Sequence, residues 1–226
     1  MALRQLKQEV LRLFQAKDLA TAMKAVAAMP ARQVVNPLFG LLYHGDPRVR
    51  WYAVAAMGEV VSALADRDME SARVIMRRLM WNLNDESGGI GWGSPEAMGE
   101  IMARHGGLAR EYASILVSYL DPNGNHLEHE GLQAGLLWAV GRLARIRPDL
   151  VEDARELLVI HFTSNNPRLR GMALWASLAL RPRPDVGRLL HPLCADPAEI
   201  AIFQDGELIF MRLGDLAAEL LPGDME

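Results

Sequence analysis

Apolar positions recur three and four residues apart along most of the chain, and short polar turns punctuate them. Leu3, Leu6, Val10, Leu13 and Phe14 form the first such stripe. Helices are therefore predicted over 3–15 and 18–29, an opening hairpin within 1–30. The same spacing predicts helices over 31–44, 69–81, 108–120 and 150–162. Another helix is predicted from Asp46 to Val60, where Val49, Tyr52, Ala53, Ala56, Met57 and Val60 fall on one face. Near the end the period changes from helical to alternating. Asp205-Gly206 stands between the β-prone runs 200–203 and 208–210, a strong short-range hairpin signal. A short helix over 214–221 follows, so 194–226 is predicted to be a β-hairpin and helix that cap the stack. The outer strand of such a hairpin could instead serve as a docking edge for a second subunit.

The helix at 46–60 is repeated. Asn166-Pro167-Arg168-Leu169-Arg170 restates Asp46-Pro47-Arg48-Val49-Arg50, while Met98-Gly99-Glu100-Ile101 and Val140-Gly141-Arg142-Leu143 restate Met57-Gly58-Glu59-Val60. Aligned on their glycines, Gly58, Gly99 and Gly141 lie 41 and 42 residues apart, and Leu178 takes the same place 37 residues later. Asp46 and Asn166 suit the N-cap, and a proline at the first helical position loses no needed N–H. The pattern Asp-Pro-x-Val-Arg-x-x-Ala-x-x-Ala-apolar-Gly resembles the second-helix signature of HEAT and HEAT-like repeats. That resemblance implies an all-α fold, a right-handed α-α superhelix of stacked helix pairs over 31–193, in a single repeat domain spanning 1–226. It also implies that second helices line a concave surface.

One stretch breaks the array. Residues 82–96 hold four glycines, Gly88, Gly89, Gly91 and Gly93, where the offset from Asp46 calls for a helix start at Ser87. The helix is predicted to begin late, capped by Ser94 with Pro95 first and Glu96 favourable to the dipole. A Gly-rich loop before a helix can cradle an anion, yet no Gly-Lys-Ser/Thr ending is present. Asp85 and Glu86 would repel phosphate and would suit a cation or acid–base chemistry instead. The plainer reading is a loop that folds back over the repeat surface.

The repeat register also orders the tryptophans. Trp51 maps onto Trp92, Ala134 and Gly171, and one turn later Ala55 maps onto Glu96, Trp138 and Trp175. Glu59, Glu100 and Arg142 follow one further turn on. Two readings stay open: four rings and several acids bordering a ligand groove, or rings filling gaps between stacked helices. On the first, Trp51, Trp92, Trp138, Trp175, Asp85, Glu86, Glu96 and Glu100 form the candidate binding set.

Charge and composition narrow the partners. The net charge of -4 and pI near 5.9 weigh against duplex nucleic acid, whose binding depends on Lys and Arg at phosphates. Cys194 is the single cysteine, which excludes a disulfide framework. No stretch reads as a membrane span or signal peptide, so a cytoplasmic protein is expected. His126, His129 and Glu130 invite a metal reading but lack the His-Glu-x-x-His spacing, and a polar helix start is the simpler account. No metal or cofactor and no catalytic residue is expected. The expected function is a non-enzymatic scaffold, monomer or homodimer, that takes a protein, peptide or small ligand on a Trp-lined surface. The alternative is an enzyme similar to HEAT-like DNA glycosylases, which excise alkylated bases from a concave surface bearing Trp and Asp. The Trp rows and Asp85 give the parallel.

Overall fold

A computed structural model describes residues 3–84, 91–183 and 186–221 of the 226-residue chain. Among them are twelve α-helices and one two-stranded antiparallel sheet. Packing divides the chain into two compact units, Met1–Glu111 and Tyr112–Glu226.

The first unit is built around α4 (Pro47–Ala65), which packs against α1 (Leu3–Ala16), α2 (Leu19–Ala27), α3 (Ala31–Phe39), α5 (Met69–Leu83) and α6 (Ser94–Arg104). On α1, Leu6, Val10 and Phe14 lie one turn apart and are buried, as an amphipathic stripe should be. α4 differs in being buried nearly all round. Trp51, Val54 and Ala55 are enclosed along with the predicted face of Val49, Tyr52, Ala53, Ala56, Met57 and Val60. A helix apolar on every side belongs at the centre of a stack. Asp46 starts it by accepting the Arg48 N–H at 2.9 Å.

The second unit is built around α10 (Pro167–Ser177), started by Asn166 accepting the Arg168 N–H at 2.9 Å. It packs against α8 (Glu130–Ala144), α9 (Ala154–Val159), α12 (Leu213–Leu220) and strand β1 (Glu199–Gln204). α8 is also enclosed on nearly all sides. The two best copies of the repeat signature thus open the central helices of the two units. The division between the units falls within α7 (Gly106–Ser118).

β1 pairs with β2 (Glu207–Arg212), Ile202 opposite Ile209 and Gln204 opposite Glu207. Asp205 and Gly206 make the two-residue turn, both with positive φ, as a type I′ hairpin requires. Ile200 packs into a notch that only a glycine leaves open, since a Cβ on Gly171 would stand 2.6 Å from its Cδ1.

Two expectations need correction, and one helix was not foreseen. The helix predicted over 31–44 stops at Phe39, because Pro37 supplies no N–H to its last turn and Gly40 caps it. The helix predicted over 150–162 is α9 between two 3-10 turns, Pro148–Val151 and Ile160–Thr163. The β-branched pair Val159 and Ile160 stands where it tightens, and the tighter turn leaves His161 and Phe162 buried. A seven-residue helix, α11 (Gly187–Leu193), escaped the periodicity because it is too short to repeat a stripe.

Candidate functional site

The rows of the repeat are present as geometry, but not as an open groove. Trp138 and Trp175 stack, with planes 10° apart and centroids 6.4 Å apart, on the adjacent helices α8 and α10. Gly141 permits this, because a Cβ there would lie 2.6 Å from the Trp175 ring. Trp138 is 1% and Trp175 2% exposed, and the Trp138 indole N–H donates to the Phe203 carbonyl of β1 at 2.9 Å. Trp51 is buried in α4 at 4% exposure. These three rings fill space between elements of their own units. Their placement leaves no ring face for a stacked base, so the glycosylase parallel gains nothing from them.

Of the acids, Glu96 and Glu100 are internal, while Glu59 is partly exposed. Arg104 donates to Glu59 and to Glu100, each at 2.6 Å, clamping α4 to α6. Glu96 and Glu100 are 7% and 5% exposed. Gly58 makes room for the clamp, since its missing Cβ would stand 2.5 Å from Glu100 Cγ. Asp85 and Glu86 lie outside the described residues. So does the centre of the Gly-rich stretch.

Trp92 is the one member of the tryptophan set that is open, at 38% exposure. It sits in a turn that Gly93 closes with a φ of 74° before α6 begins. Gly93 rather than Ser94 is the N-cap, so Ser94 makes no capping hydrogen bond. Its hydroxyl is buried without a partner. Trp92 and Ser94 line a cleft of 420 Å³ whose other walls include Leu3, Phe39, Tyr43, Lys7 and Arg78. Arg78 lies over the Phe39 ring at 3.9 Å and donates to Asn36 at 2.6 Å. Tyr43 is 61% exposed. The cleft therefore offers aromatic surface beside two cations, and no carboxylate lines it among the described residues.

The histidine pair has a structural role. His129 caps α8, its Nδ1 accepting the Gly131 N–H at 3.0 Å, and His126 contacts Gln133. Among the described residues no cluster of His, Cys, Asp and Glu could hold a metal.

Architecture decides the comparison with known proteins. A designed armadillo repeat protein in complex with the peptide (KR)4 superposes with a TM-score of 0.54 at 16% identity, covering 96% of this chain and 98% of that one. Computationally designed armadillo repeat proteins for modular peptide recognition give 0.50 at 18% identity, over 96% and 98%. The chain has an armadillo-like helical-repeat fold. An uncharacterised protein of Archaeoglobus fulgidus is 28% identical over 190 residues, 82% of this chain and 94% of its own length. No family model matches.

Within this repeat fold, Phe39, Tyr43 and Arg78 were missed as candidates. Phe39 is the last residue of α3, Tyr43 lies in the turn that follows it, and Arg78 follows Arg77 on a helix read only for its apolar face. No helix is long and apolar enough to cross a membrane among the described residues.

Proposed function

We propose that the chain is a non-enzymatic interaction module that takes a protein or peptide partner on its first unit. The observation that carries this reading is the 420 Å³ cleft, where exposed Tyr43 and Trp92 stand beside Lys7 and Arg78. Exposed aromatics gathered at a concave spot are the usual anchors of a protein contact. The two cations favour a partner that presents an acidic side chain next to an apolar anchor. The repeat fold supports the reading by analogy, since stacked helices give rigid walls to such clefts. Glu96 and Glu100, being internal, take no part in it.

The test is affinity capture from a native-host lysate with wild-type chain, Trp92→Ala and Tyr43→Ala, read by quantitative mass spectrometry. A specific protein retained by the wild type should drop about tenfold or more with either variant, the scale of one aromatic anchor. Unchanged urea melts must accompany the loss. Retention unaffected by both substitutions would remove the cleft from the contact.

A further inference from the structure

Arg145 is a guanidinium fixed in place by neutral acceptors, with Glu219 and Asp205 the acids that act on it across space. It follows the last turn of α8 and lies over the Trp175 ring, 3.5 Å from the centroid. Its Nη1 donates to the Gly141 carbonyl at 2.8 Å and its Nη2 to the Trp175 carbonyl at 3.2 Å. These acceptors belong to the ends of α8 and α10, where helix dipoles place partial negative charge. They occupy two of five N–H donors. Among the described residues no carboxylate forms an ion pair with Arg145. Burial and the neighbouring Arg142 push its pKa down to about 10, which leaves it a cation at neutral pH.

A second guanidinium lines the same cleft. Arg181 donates to the Leu178 and Leu180 carbonyls at 2.9 and 2.6 Å, which pins it to the end of α10. The cleft measures 480 Å³, within the range of small-molecule sites. Ala144, Pro148, Leu178 and Met211 give it apolar walls, Gln204 adds an amide, and Glu219 is the one acid that lines it among the described residues. Two held guanidinium forks match a planar oxyanion, and the apolar walls require that the anion carry a hydrocarbon body. Inorganic phosphate has no such body and would face Glu219 with a higher charge.

We propose that this cleft of the second unit binds an organic carboxylate with an aromatic or apolar body, received by Arg145 and Arg181 beside the Trp175 ring. The carboxylate is supplied by a free acid or by the C-terminus of a peptide. The site is separate from the first unit's cleft, and each can fail without the other.

Isothermal titration of the full chain tests it with 3-phenylpropionate, N-acetylphenylalanine, N-acetylphenylalaninamide and inorganic phosphate. The expected result is saturable binding of a carboxylate, with the amide and phosphate at least about tenfold weaker, as the loss of a charged hydrogen bond requires. Preference for N-acetylphenylalanine marks a peptide terminus as the source, and preference for 3-phenylpropionate marks a free acid. Arg145→Gln and Arg181→Gln should each weaken the acid about tenfold and leave the amide unchanged. If Arg145→Gln unfolds, Arg181→Gln alone decides, because that side chain is exposed. Equal affinity for acid and amide, phosphate binding as tight as the acid, or an Arg181→Gln affinity equal to wild type would overturn the proposal.

Discussion

The helix pairs α4–α6 and α8–α10 carry the same glycine in the same place and use it for opposite purposes. In the first unit Gly58 admits an ionic clamp, in which Arg104 joins Glu59 of α4 to Glu100 of α6. In the second unit Gly141 admits an indole, and Trp175 lies flat against the backbone of α8 with Trp138 stacked beside it. The repeat therefore conserves a spacing, not an interaction. What the gap receives is set by the neighbouring helix, so one unit is joined by flexible charged chains and the other by rigid rings.

The sharpest way to expose that difference is to remove a ring. Trp138→Ala deletes a fully buried indole together with its hydrogen bond to Phe203 and should destabilise the protein by about 3–5 kcal/mol. Urea denaturation followed by far-ultraviolet circular dichroism measures it. A loss of less than about 1 kcal/mol would place the ring outside the core.

The glycines give the next effect and a direct contrast. Gly141→Ala puts a methyl within 2.6 and 2.8 Å of the Trp175 ring and 2.9 Å of the Ala176 Cα, none of which can turn aside. It should cost about 2 kcal/mol, as overpacking does. Gly58→Ala meets Glu100 Cγ and the Arg104 chain, which can swing, and alanine repays part of the strain as a better helix former. Its net cost should stay below about 1 kcal/mol. Equal costs would mean that the two interfaces are alike after all.

Much of this arrangement was legible in the chain and some was not. The offset between Gly58 and Gly141 is a one-dimensional ruler, and it correctly set Trp138 beside Trp175 and Glu59 beside Glu100. Exposure is another matter. The register left open whether the rings border a groove or fill gaps, and α4 and α8 turn out to be enclosed on nearly all sides. Neighbours from distant sequence close over them, as β1 does over Trp138, and nothing within α8 announces that. The start of α6 was misjudged by one residue because Gly93 can take the left-handed conformation that Ser94 avoids. Arg145 carried no signal at all, since a lone arginine after a helix reads as an ordinary dipole partner until Trp175 is seen beneath it. For the candidate surface, only Trp92 was named in advance, and its partners Phe39 and Tyr43 come from the end of α3 and the turn after it.

A smaller effect depends on pH. Asp196 of the second unit accepts from the Arg170 guanidinium at 2.5 Å and from the Ala198 N–H at 3.0 Å. Burial alone would raise its pKa, yet the Ala198 N–H and Arg170 together hold it below the ordinary 3.8. A carboxylate with a depressed folded-state pKa stabilises above its unfolded value and loses that contribution as pH falls through the folded one. Asp196→Asn should therefore cost about 1–2 kcal/mol at pH 7 and flatten the fall in stability below about pH 4. An acid limb as steep as wild type would show that the pair contributes nothing there.

The claim that joins these results is that the tryptophan rows are internal while Trp92 faces outward. Iodide quenching of the double variant Trp81→Phe, Trp92→Phe tests it most directly. It leaves Trp51, Trp138 and Trp175 as the only emitters of the five tryptophans. Their fluorescence should resist iodide while the wild type, with Trp81 at 74% and Trp92 at 38% exposure, is visibly quenched. Quenching of the variant as strong as that of the wild type would contradict the account, because it would return the rows to an open surface.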